Sequence, residues 1–453
     1  MSAQLSENTI VLEREPAPDS DARSLPRLLL GAAADGRALD LHEHIATHGE
    51  LPAEHKRRRR EDAPLIGQIE RAGLRGRGGA AFPTATKLRA VAAARGRAIV
   101  VVNATEGEPA SLKDRTLCQL APHLMLDGAQ LAAQAIGADE VIIAVCESVP
   151  TSVETVAAAI EERARLGGPR IGLSTAPAGY VVGQESALVN HLSGGPALPT
   201  FTPPLPFEQG VRRRPTLLSN AETFAHIALI ARHGSSWFRA LGGAAQPGSA
   251  LVTLSGPVAN PAVYEIEQGA SLGELIEAAG GTTAPIRAAL FGGYAGTWID
   301  GPLLSGVALS DEHLAPHGAS LGAGVVVLLS EDACPVAESA RVARWLALES
   351  SGQCGPCING LDALARIVAA LAAGAGEGDA ERRLQRLAQL VRRRGACGHP
   401  DGAVRFVLSA VETFSPEFAD HARHGRCEAC ARAPELPLPT HARAARGAQQ
   451  GDR

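Results

Sequence analysis

The chain has 453 residues, 45% hydrophobic and 20% charged, with 43 lysines and arginines against 48 aspartates and glutamates for a formal net charge of −5. At roughly 100–200 residues per domain this length allows about three cores, and the mild charge excludes both a disordered chain and a general nucleic-acid binder. Aromatic residues are only 3%, so few rings are on hand for stacking a planar ligand, which must be held largely by backbone and polar groups.

Residues 1–62 read as a polar N-terminal arm. Glu7, Glu13, Glu15, Asp19 and Asp21 stand where a signal peptide would need a basic region and an apolar stretch, so none is expected and a cytoplasmic location is. The basic run Lys56–Arg60, beside Glu61 and Asp62, reads as a solvated helix end and is given no role. Residues 63–245 alternate expected helices (Ile66–Gly73, Thr84–Ala94, Leu124–Ile136, Ser152–Leu166) with expected strands (Ala98–Asn103, Glu140–Cys146), the pattern of an α/β layer with a largely parallel sheet. After the linker Gly242–Gly248, residues 246–332 change to short strands at Leu251–Gly256, Val263–Ile266, Ala288–Phe291 and Val325–Leu329 around one helix at Leu272–Ala279, which predicts a small β-grasp module. Residues 333–432 carry apolar positions at helical spacing, as in Val342, Trp345, Leu346 and Leu384, Leu387, Leu390, and predict a helical bundle. Residues 433–453 read as a tail. The longest apolar windows, Ala98–Val102 and Gly324–Leu329, are strand-sized, so no membrane crossing is expected.

Two loops carry the first chemical signal. The run Gly73–Lys87 contains G-x-G-x-x-A at Gly76, Gly78 and Ala81. A dinucleotide fingerprint follows a strand, whereas Leu65, Ile66, Ile69 and Leu74 have helical spacing, so that label is rejected. What remains is an anion site in which glycine backbone approaches a phosphate and Lys87 offers a cation one turn into the next helix; a flexible interdomain turn is the competing reading. Lysine occurs only at Lys56, Lys87 and Lys113, which draws attention to the last two. The second loop, N-A-T-E-G-E-P, puts Asn103, Glu106 and Glu108 at the C-terminal end of an expected strand, where open α/β sheets bind ligands. Five of the eight cysteines (Cys354, Cys357, Cys397, Cys427, Cys430) lie in the last quarter of the chain and ask for a metal explanation.

Taken in order, GRGGAAFPTATK, NATEGEPASLKDR, APHLMLDG, GYVVGQESAL, RRPTLLSNAETFAH, and ESSGQCGPC followed by GACGHPDGAV resemble the FMN-carrying, NADH-oxidising flavoprotein subunit of respiratory complex I and the related diaphorase subunits of soluble hydrogenases and formate dehydrogenases. The resemblance runs from about Leu65 to His421. It implies a Rossmann-like FMN domain, a ubiquitin-like β-grasp (SLBB-type) domain and a C-terminal four-helix bundle with a [4Fe–4S] cluster. By motif it puts FMN phosphate and ribityl contacts on Gly76, Gly78, Lys87, Asn103, Asn220 and Thr223, and the ring system near Glu106, Tyr180, Gly183 and Glu185. Phe82 matches one of the family's rings for the NADH adenine. Glu185 is the catalytic candidate, as a positioning group with Lys87, because hydride transfer needs no acid–base pair. Lys113 is expected to hold the carboxylate loop.

The chain departs from the family pattern in three places. Thr105, Gln184 and Ser219 replace an aspartate, a glutamate and an asparagine, which keeps hydrogen bonding but removes two negative charges and predicts a higher flavin potential. Ala90 and Leu205 stand where the family has phenylalanines, with Phe207 a nearby substitute, which predicts weaker NADH binding by ~1–3 kcal/mol per lost ring. Ser351 replaces the first cysteine of C-x-x-C-x-x-C, leaving Cys354, Cys357 and Cys397 with a serine at the fourth corner and allowing a four-iron or a three-iron cluster. A Zn²⁺ site made by Cys354/Cys357 with Cys427/Cys430 is the competing metal reading, and reduced thiols without a metal are the third. Cys118, Cys146 and Cys334 read as buried small hydrophobes. The function expected is electron transfer from NAD(P)H through FMN and an iron–sulfur centre to a ferredoxin-like or thioredoxin-fold iron–sulfur protein or a quinone-linked acceptor, inside a multi-subunit complex, with no nucleic-acid partner and no membrane insertion. The alternative is a complex component or relay that keeps the fold without oxidising NADH.

Overall fold

The structure, a computed structural model, describes residues 21–32, 36–52, 62–376 and 379–439, so the basic run Lys56–Arg60 lies outside the described residues. Helix α1 (Leu41–His48) starts on an Asp40–Glu43 capping box. Helix α2 (Pro64–Ala72) opens on proline at its first position and stops at Gly73 in the left-handed region. Then follow α3 (Thr84–Ala93), β1 (Ala98–Ala104), α4 (Lys113–Leu120), α5 (Pro122–Ile136), β2 (Ala138–Cys146), α6 (Pro150–Glu162), β3 (Arg170–Ala176), α7 (Glu185–Leu192), α8 (Pro206–Gln209), β4 (Thr216–Asn220) and α9 (Ala221–Phe238). The four strands form one parallel sheet in the order β3-β2-β1-β4. Both faces of β1 are covered, Val100 and Val102 packing into one core and Ile99 and Val101 into another, which is why the strand reads as an unbroken apolar run. Helices α5 and α9 cross so closely at Gly128 that a Cβ there would lie 1.7 Å from the Phe224 carbonyl oxygen.

The second unit contains β5 (Ser249–Ser255), β6 (Ala262–Glu267), α10 (Leu272–Ala278), β7 (Ile286–Phe291), β8 (Thr297–Asp300), α11 (Asp311–Leu314) and β9 (Val325–Ser330), with sheet order β6-β5-β9-β7-β8. Alternation along its strands divides two cores: Ala289, Phe291, Val326 and Leu328 pack with Tyr264 and Leu275, whereas Ala288, Leu290, Val325, Val327 and Leu329 face the helical unit. That helical unit comprises α12 (Pro335–Leu348), α13 (Asp362–Ala372), α14 (Ala380–Val391), α15 (His399–Thr413) and α16 (Ser415–His424), with a π-helical turn at Pro356–Leu361 before α13. Its buried face, including Trp345, Leu346, Phe406 and Phe414, forms one continuous core with the second sheet.

The first and last segments are fastened across these units. The backbone N–H groups of Arg27, Leu28 and Leu29 donate to Glu265 Oε2 on β6 at 2.9, 2.8 and 3.2 Å, while the Arg27 guanidinium lies 3.8 Å over the Trp237 ring on α9. The arm is therefore part of the fold where it is described. The stretch 434–439, expected to be tail, is likewise built in: Leu436 is buried, and Glu435 accepts from the Ser330 N–H at 2.9 Å. No helix among the described residues is long and apolar enough to cross a membrane.

Two histidines, His48 and His123, are buried near arginines and held neutral. Burial, with His44 and Arg232 alongside, lowers His48 to about 4, and burial with Arg163 nearby does the same to His123. An unfolded histidine takes its proton near 6.5, so each contributes stability that is complete above about pH 6.5 and lost as pH falls towards 4. Buried carboxyls such as Glu108, raised to about 7 by burial, pull the other way, and only a difference isolates the histidine. His48→Gln should therefore destabilise the protein relative to wild type at pH 7 and lose that disadvantage by up to ~3 kcal/mol on going to pH 4, read from denaturant midpoints. A wild-type-minus-variant difference that does not change with pH contradicts the assignment.

Candidate functional site

A cleft of about 370 Å³ opens at the C-terminal edge of the parallel sheet, and all three units contribute to its walls. Gly78 and Gly79 come from the loop between α2 and α3, Asn103 to Glu108 from the loop after β1, Tyr180 to Gln184 from the segment before α7, and Asn220 from the end of β4. Gly292, Gly296 and Gly322 come from the second sheet, and Cys397, His399 and Arg405 from the helical unit. Eight of the lining residues are glycine, so much of the wall is bare backbone. A Cβ on Gly107 would fall 2.8 Å from the Tyr180 carbonyl oxygen, and one on Gly183 would fall 2.9 Å from Thr105 Oγ1. A slot walled by glycine backbone, with the amides of Asn103 and Asn220 and the cation Arg405 on its lining, fits a flat, phosphorylated cofactor such as FMN.

The floor is a buried charge network. Lys113 Nζ on α4 donates to Asp114 Oδ1 at 2.8 Å and Asn220 Oδ1 at 2.7 Å, and it lies 3.1 Å from Glu222 Oε2 on α9. Burial alone would lower the Lys113 pKa, but Asp114 and Glu222 outweigh it and hold the ammonium above the ordinary lysine range. Burial opposes ionisation of Glu222 too, and Lys113, His226 and Arg77 overcome it to hold the carboxylate at about 2. Asn220 caps α9 by accepting from the Glu222 N–H, and its amide donates to Asp114 Oδ2 at 2.6 Å. Asn103 donates to the Gly183 carbonyl at 2.8 Å and accepts from the Thr105 hydroxyl at 2.8 Å, which ties the β1 loop to the segment before α7.

The two glutamates of the β1 loop do different work. Glu106 has a positive φ of 41° and turns its carboxylate to the start of α4, accepting from the Ser111 hydroxyl and from the N–H groups of Asp114 and Arg115 at 2.8, 2.9 and 3.0 Å. Glu108 reaches the second sheet, where its Oε2 accepts from the Tyr294 N–H at 2.8 Å. Gly293, at φ +81°, must be glycine for that contact, because a Cβ would lie 2.4 Å from the same oxygen. Tyr180 closes the cleft towards the helical unit: its N–H donates to Glu349 Oε2 at 3.0 Å and its ring meets Trp345 and His399 with centroids 5.2 and 5.3 Å apart.

Of the residues singled out from sequence, Gly78, Asn103, Glu106, Tyr180, Gly183, Asn220 and Cys397 line this cleft. Gly76, Phe82, Lys87, Glu185 and Thr223 stand outside its lining. The Gly76 N–H donates to the Phe82 carbonyl, closing the glycine loop, and Thr223 Oγ1 accepts from the Arg77 N–H at 3.0 Å. Lys87 donates to Glu185 Oε1 at 2.7 Å and to the Leu218 carbonyl at 2.8 Å, so the pair joins α3, α7 and β4. Phe82 is half exposed, as is Leu205, and Phe201 is exposed, whereas Phe207 is half-buried and packs against the α/β core. Sequence reading missed the contributions of Gly292, Ala295, Gly296, His399 and Arg405; the G-G-Y-A-G turn and the run G-A-C-G-H-P-D-G-A-V, which holds His399, were the local signals.

Six of the eight cysteines fall into two groups at opposite ends of α12; Cys118 is buried on α4 as expected, whereas Cys146 at the end of β2 is only half-buried. Ser351, Cys354 and Cys357 follow its C-terminus, with Ser351 Oγ 4.0 Å from Cys357 Sγ, and Cys397 precedes α15 on the same side. Burial would raise the Cys354 thiol, but N–H groups of Ala396 and Cys357 outweigh it and hold it below the usual range; burial and the neighbouring Cys354 push Cys357 up to about 11. Three thiols and a hydroxyl around one π-helical turn form a donor set that fits an iron–sulfur cluster with one weak corner. Cys427 and Cys430 are elsewhere, against Cys334 and His421 at the N-terminus of α12. This corrects two expectations: a helix of fourteen residues, about 21 Å long, rules out one zinc site joining 354/357 with 427/430, and Cys334 is not merely a buried apolar filler.

The sequence matches the Nuo51 FMN-binding domain over residues 69–229, the SLBB domain over 251–293 and the iron–sulfur binding region of NADH-ubiquinone oxidoreductase-F over 337–421. An FMN-binding domain, an SLBB domain and an iron–sulfur region in one chain define the class. The chain belongs to the family of F subunits of NADH-quinone oxidoreductase. It is 33% identical over 379 residues to the F 2 subunit of the NADH-quinone oxidoreductase of Rhizobium meliloti (strain 1021), covering 80% of this chain and 90% of that one. It is 30% identical over 382 residues to the NADP-reducing hydrogenase subunit HndC of Solidesulfovibrio fructosivorans, covering 81% and 78%. Among solved structures, it resembles a chain of an NAD⁺-reducing [NiFe]-hydrogenase in the H₂-reduced state with a TM-score of 0.74 and 32% identity, covering 80% of this chain but only 63% of that one.

Lys113 neutralises the floor of the cleft, so Lys113→Met should leave Asp114 and Glu222 buried without their cation and destabilise the protein by ~3–5 kcal/mol. Chemical denaturation reads this directly, and a loss below ~1 kcal/mol would show that the network is not the support described.

Proposed function

We propose that this chain is the NAD(P)H-oxidising flavoprotein subunit of a multi-subunit oxidoreductase, passing electrons from a nicotinamide donor to an iron–sulfur partner of ferredoxin-like or thioredoxin-fold type in the cytoplasm. The observation that carries the reading is the shared wall of the cleft: Cys397 lines the same slot as Gly78, Asn103, Gly183 and Asn220. When bound, FMN takes up electrons as a pair and releases them singly, while an iron–sulfur cluster accepts one at a time. The chain's own residues position and insulate. Gly78 and Gly79 would offer backbone N–H groups to the phosphate, Asn103 and Asn220 would serve the ribityl chain, and Tyr180 and Gly183 would border the ring system. Lys87 and Glu185 hold α3, α7 and β4 in register beside the cleft as positioning groups. Cys354, Cys357 and Cys397, with Ser351 at the fourth corner, would hold the cluster.

The relatives named above are subunits of larger complexes, which supports an acceptor in a neighbouring chain. A second reading, a relay that does not oxidise NADH, is favoured by one observation: with Ala90 and Leu205 in place of rings and Phe207 engaged in the core, the adenine has fewer faces to stack on. Anaerobic addition of NADH or NADPH to the flavin-loaded protein distinguishes the two. Bleaching of the flavin bands supports dehydrogenase activity, and a stable oxidised flavin at millimolar donor supports the relay. If the slot is intact, Leu205→Phe should tighten NADH about tenfold, the effect of ~1.4 kcal/mol of stacking; unchanged affinity by calorimetry contradicts the stacking role of that position.

Ser351 predicts a labile corner, because a neutral hydroxyl is a poor cluster ligand. Ser351→Cys should raise retained iron to the full complement of a four-iron cluster after anaerobic gel filtration and sharpen its EPR signal. Equal iron and identical spectra in both forms would remove serine from the cluster's ligand set.

A further inference from the structure

At the N-terminus of α12 four potential ligands converge from three parts of the chain. Cys334 precedes the helix, His421 comes from the last turn of α16, and Cys427 and Cys430 come from the segment after it. Cys334 Sγ is 3.5 Å from His421 Nε2 and 3.4 Å from Cys430 Sγ; Cys430 Sγ is 3.8 Å from His421 Nε2 and 3.6 Å from Cys427 Sγ. All four donor atoms lie within 4.8 Å of one another. A tetrahedral ion with metal–sulfur distances of about 2.3 Å and metal–nitrogen distances of about 2.0 Å sets donor separations of roughly 3.5–3.8 Å, which the four separations given above match to within about 0.1 Å. An iron–sulfur cubane binds its thiolates to different irons and needs them further apart.

The surroundings select the same chemistry. His421 Nδ1 lies 3.1 Å from the Leu371 carbonyl, which makes Nδ1 the protonated nitrogen and leaves the Nε2 lone pair aimed at the three sulfurs. Cys334 and His421 are buried, whereas Cys427 and Cys430 are half-buried at the mouth. Three thiolates and one imidazole in a closed tetrahedron are the donor set of a structural zinc site. Three of the four ligands, Cys334, Cys427 and Cys430, lie outside the segment matched to the iron–sulfur binding region, and His421 is its last residue.

We infer that Cys334, His421, Cys427 and Cys430 bind one structural Zn²⁺ that staples the C-terminal strap to the helical unit. The strap then runs over the seam with the second sheet: Glu435 and Leu436 donate through their N–H groups to Glu338, and the Tyr294 hydroxyl donates to the Pro437 carbonyl at 2.5 Å. Tyr294 is the residue whose N–H holds Glu108, so the zinc site secures the back of the cofactor cleft without touching it.

The test is elemental analysis of the full-length protein, purified anaerobically under reducing conditions from zinc-sufficient cells without chelators. The expected result is one zinc per chain, counted separately from iron and flavin. Cys427→Ser with Cys430→Ser should reduce zinc to under a tenth of that value while flavin and iron are retained, and should speed tryptic release of the strap at Arg432. Cys427→His, which supplies another zinc ligand from a half-buried position, should keep the metal even if the double variant folds poorly. Absence of zinc from the wild type, retention of zinc by the double variant, or a Cys427–Cys430 disulfide in the isolated protein overturns the assignment. Because flavin and iron are measured on the same samples, failure of the zinc site is distinguishable from failure of the electron-transfer reading.

Discussion

The structure depends on one carboxylate placed where three units meet. Glu108 leaves the loop after β1, accepts from the Tyr294 N–H at 2.8 Å and from the Ala110 N–H at 3.3 Å, and stands beside the Tyr180 side chain. Burial raises its pKa to about 7 against these donors, so near neutrality the site holds a carboxyl whose charge is expensive to desolvate and whose hydrogen bonds are correspondingly hard to replace. Gly293 allows the approach, since its φ of +81° and missing side chain leave the only room for the oxygen. From this point the contacts branch: Tyr294 packs edge-on to Trp345 of the helical unit, and its hydroxyl holds the strap. The cleft is the space left when these branches close.

Charge is arranged to suit a phosphorylated, electron-rich ligand without crowding it with carboxylates. Glu106 lines the slot but spends both oxygens on the start of α4, and Asp114 and Glu222 are matched to Lys113. Thr105 donates its hydroxyl to Asn103, and Gln184 accepts from the Ala187 N–H as the cap of α7. Both are neutral, and both bond locally. We propose that a neutral wall at these two positions favours the reduced, more negative form of a flavin and so a higher potential than an acidic wall would give.

Much of the α/β unit was legible because its signals are local. The apolar run at Ala98–Val102 gave β1, the helical spacing ahead of Gly73 correctly argued against a dinucleotide fingerprint, and Asn103 to Glu108 fell at the strand end that ligands use. Strand β3 was missed because it is an edge strand with half-exposed residues and no apolar run, and β4 because it has five residues and leads straight into the cap of α9. The contributions of the second sheet and of His399 to the cleft depend on docking between units, which no local pattern encodes. The Cys334–His421 contact spans 87 residues, so the C-x-x-C at Cys427 was legible as a metal signal but its partners were not. Lys87 was legible as a cation after a glycine loop, but its partner Glu185, at 2.7 Å and 98 residues away, was not.

We propose that one glycine-walled slot, closed by the Glu108–Tyr294 contact, takes the flavin against the cysteine side of the helical unit, and a crystal structure of the FMN-loaded protein tests this most directly. Flavin density is expected between Gly78–Gly79 and Tyr180–Gly183, bordered by Asn103 and Asn220 and reaching towards Cys397. Flavin density elsewhere, for instance in the larger cavity lined by His44, Asp127, Arg163 and Arg232, would contradict it.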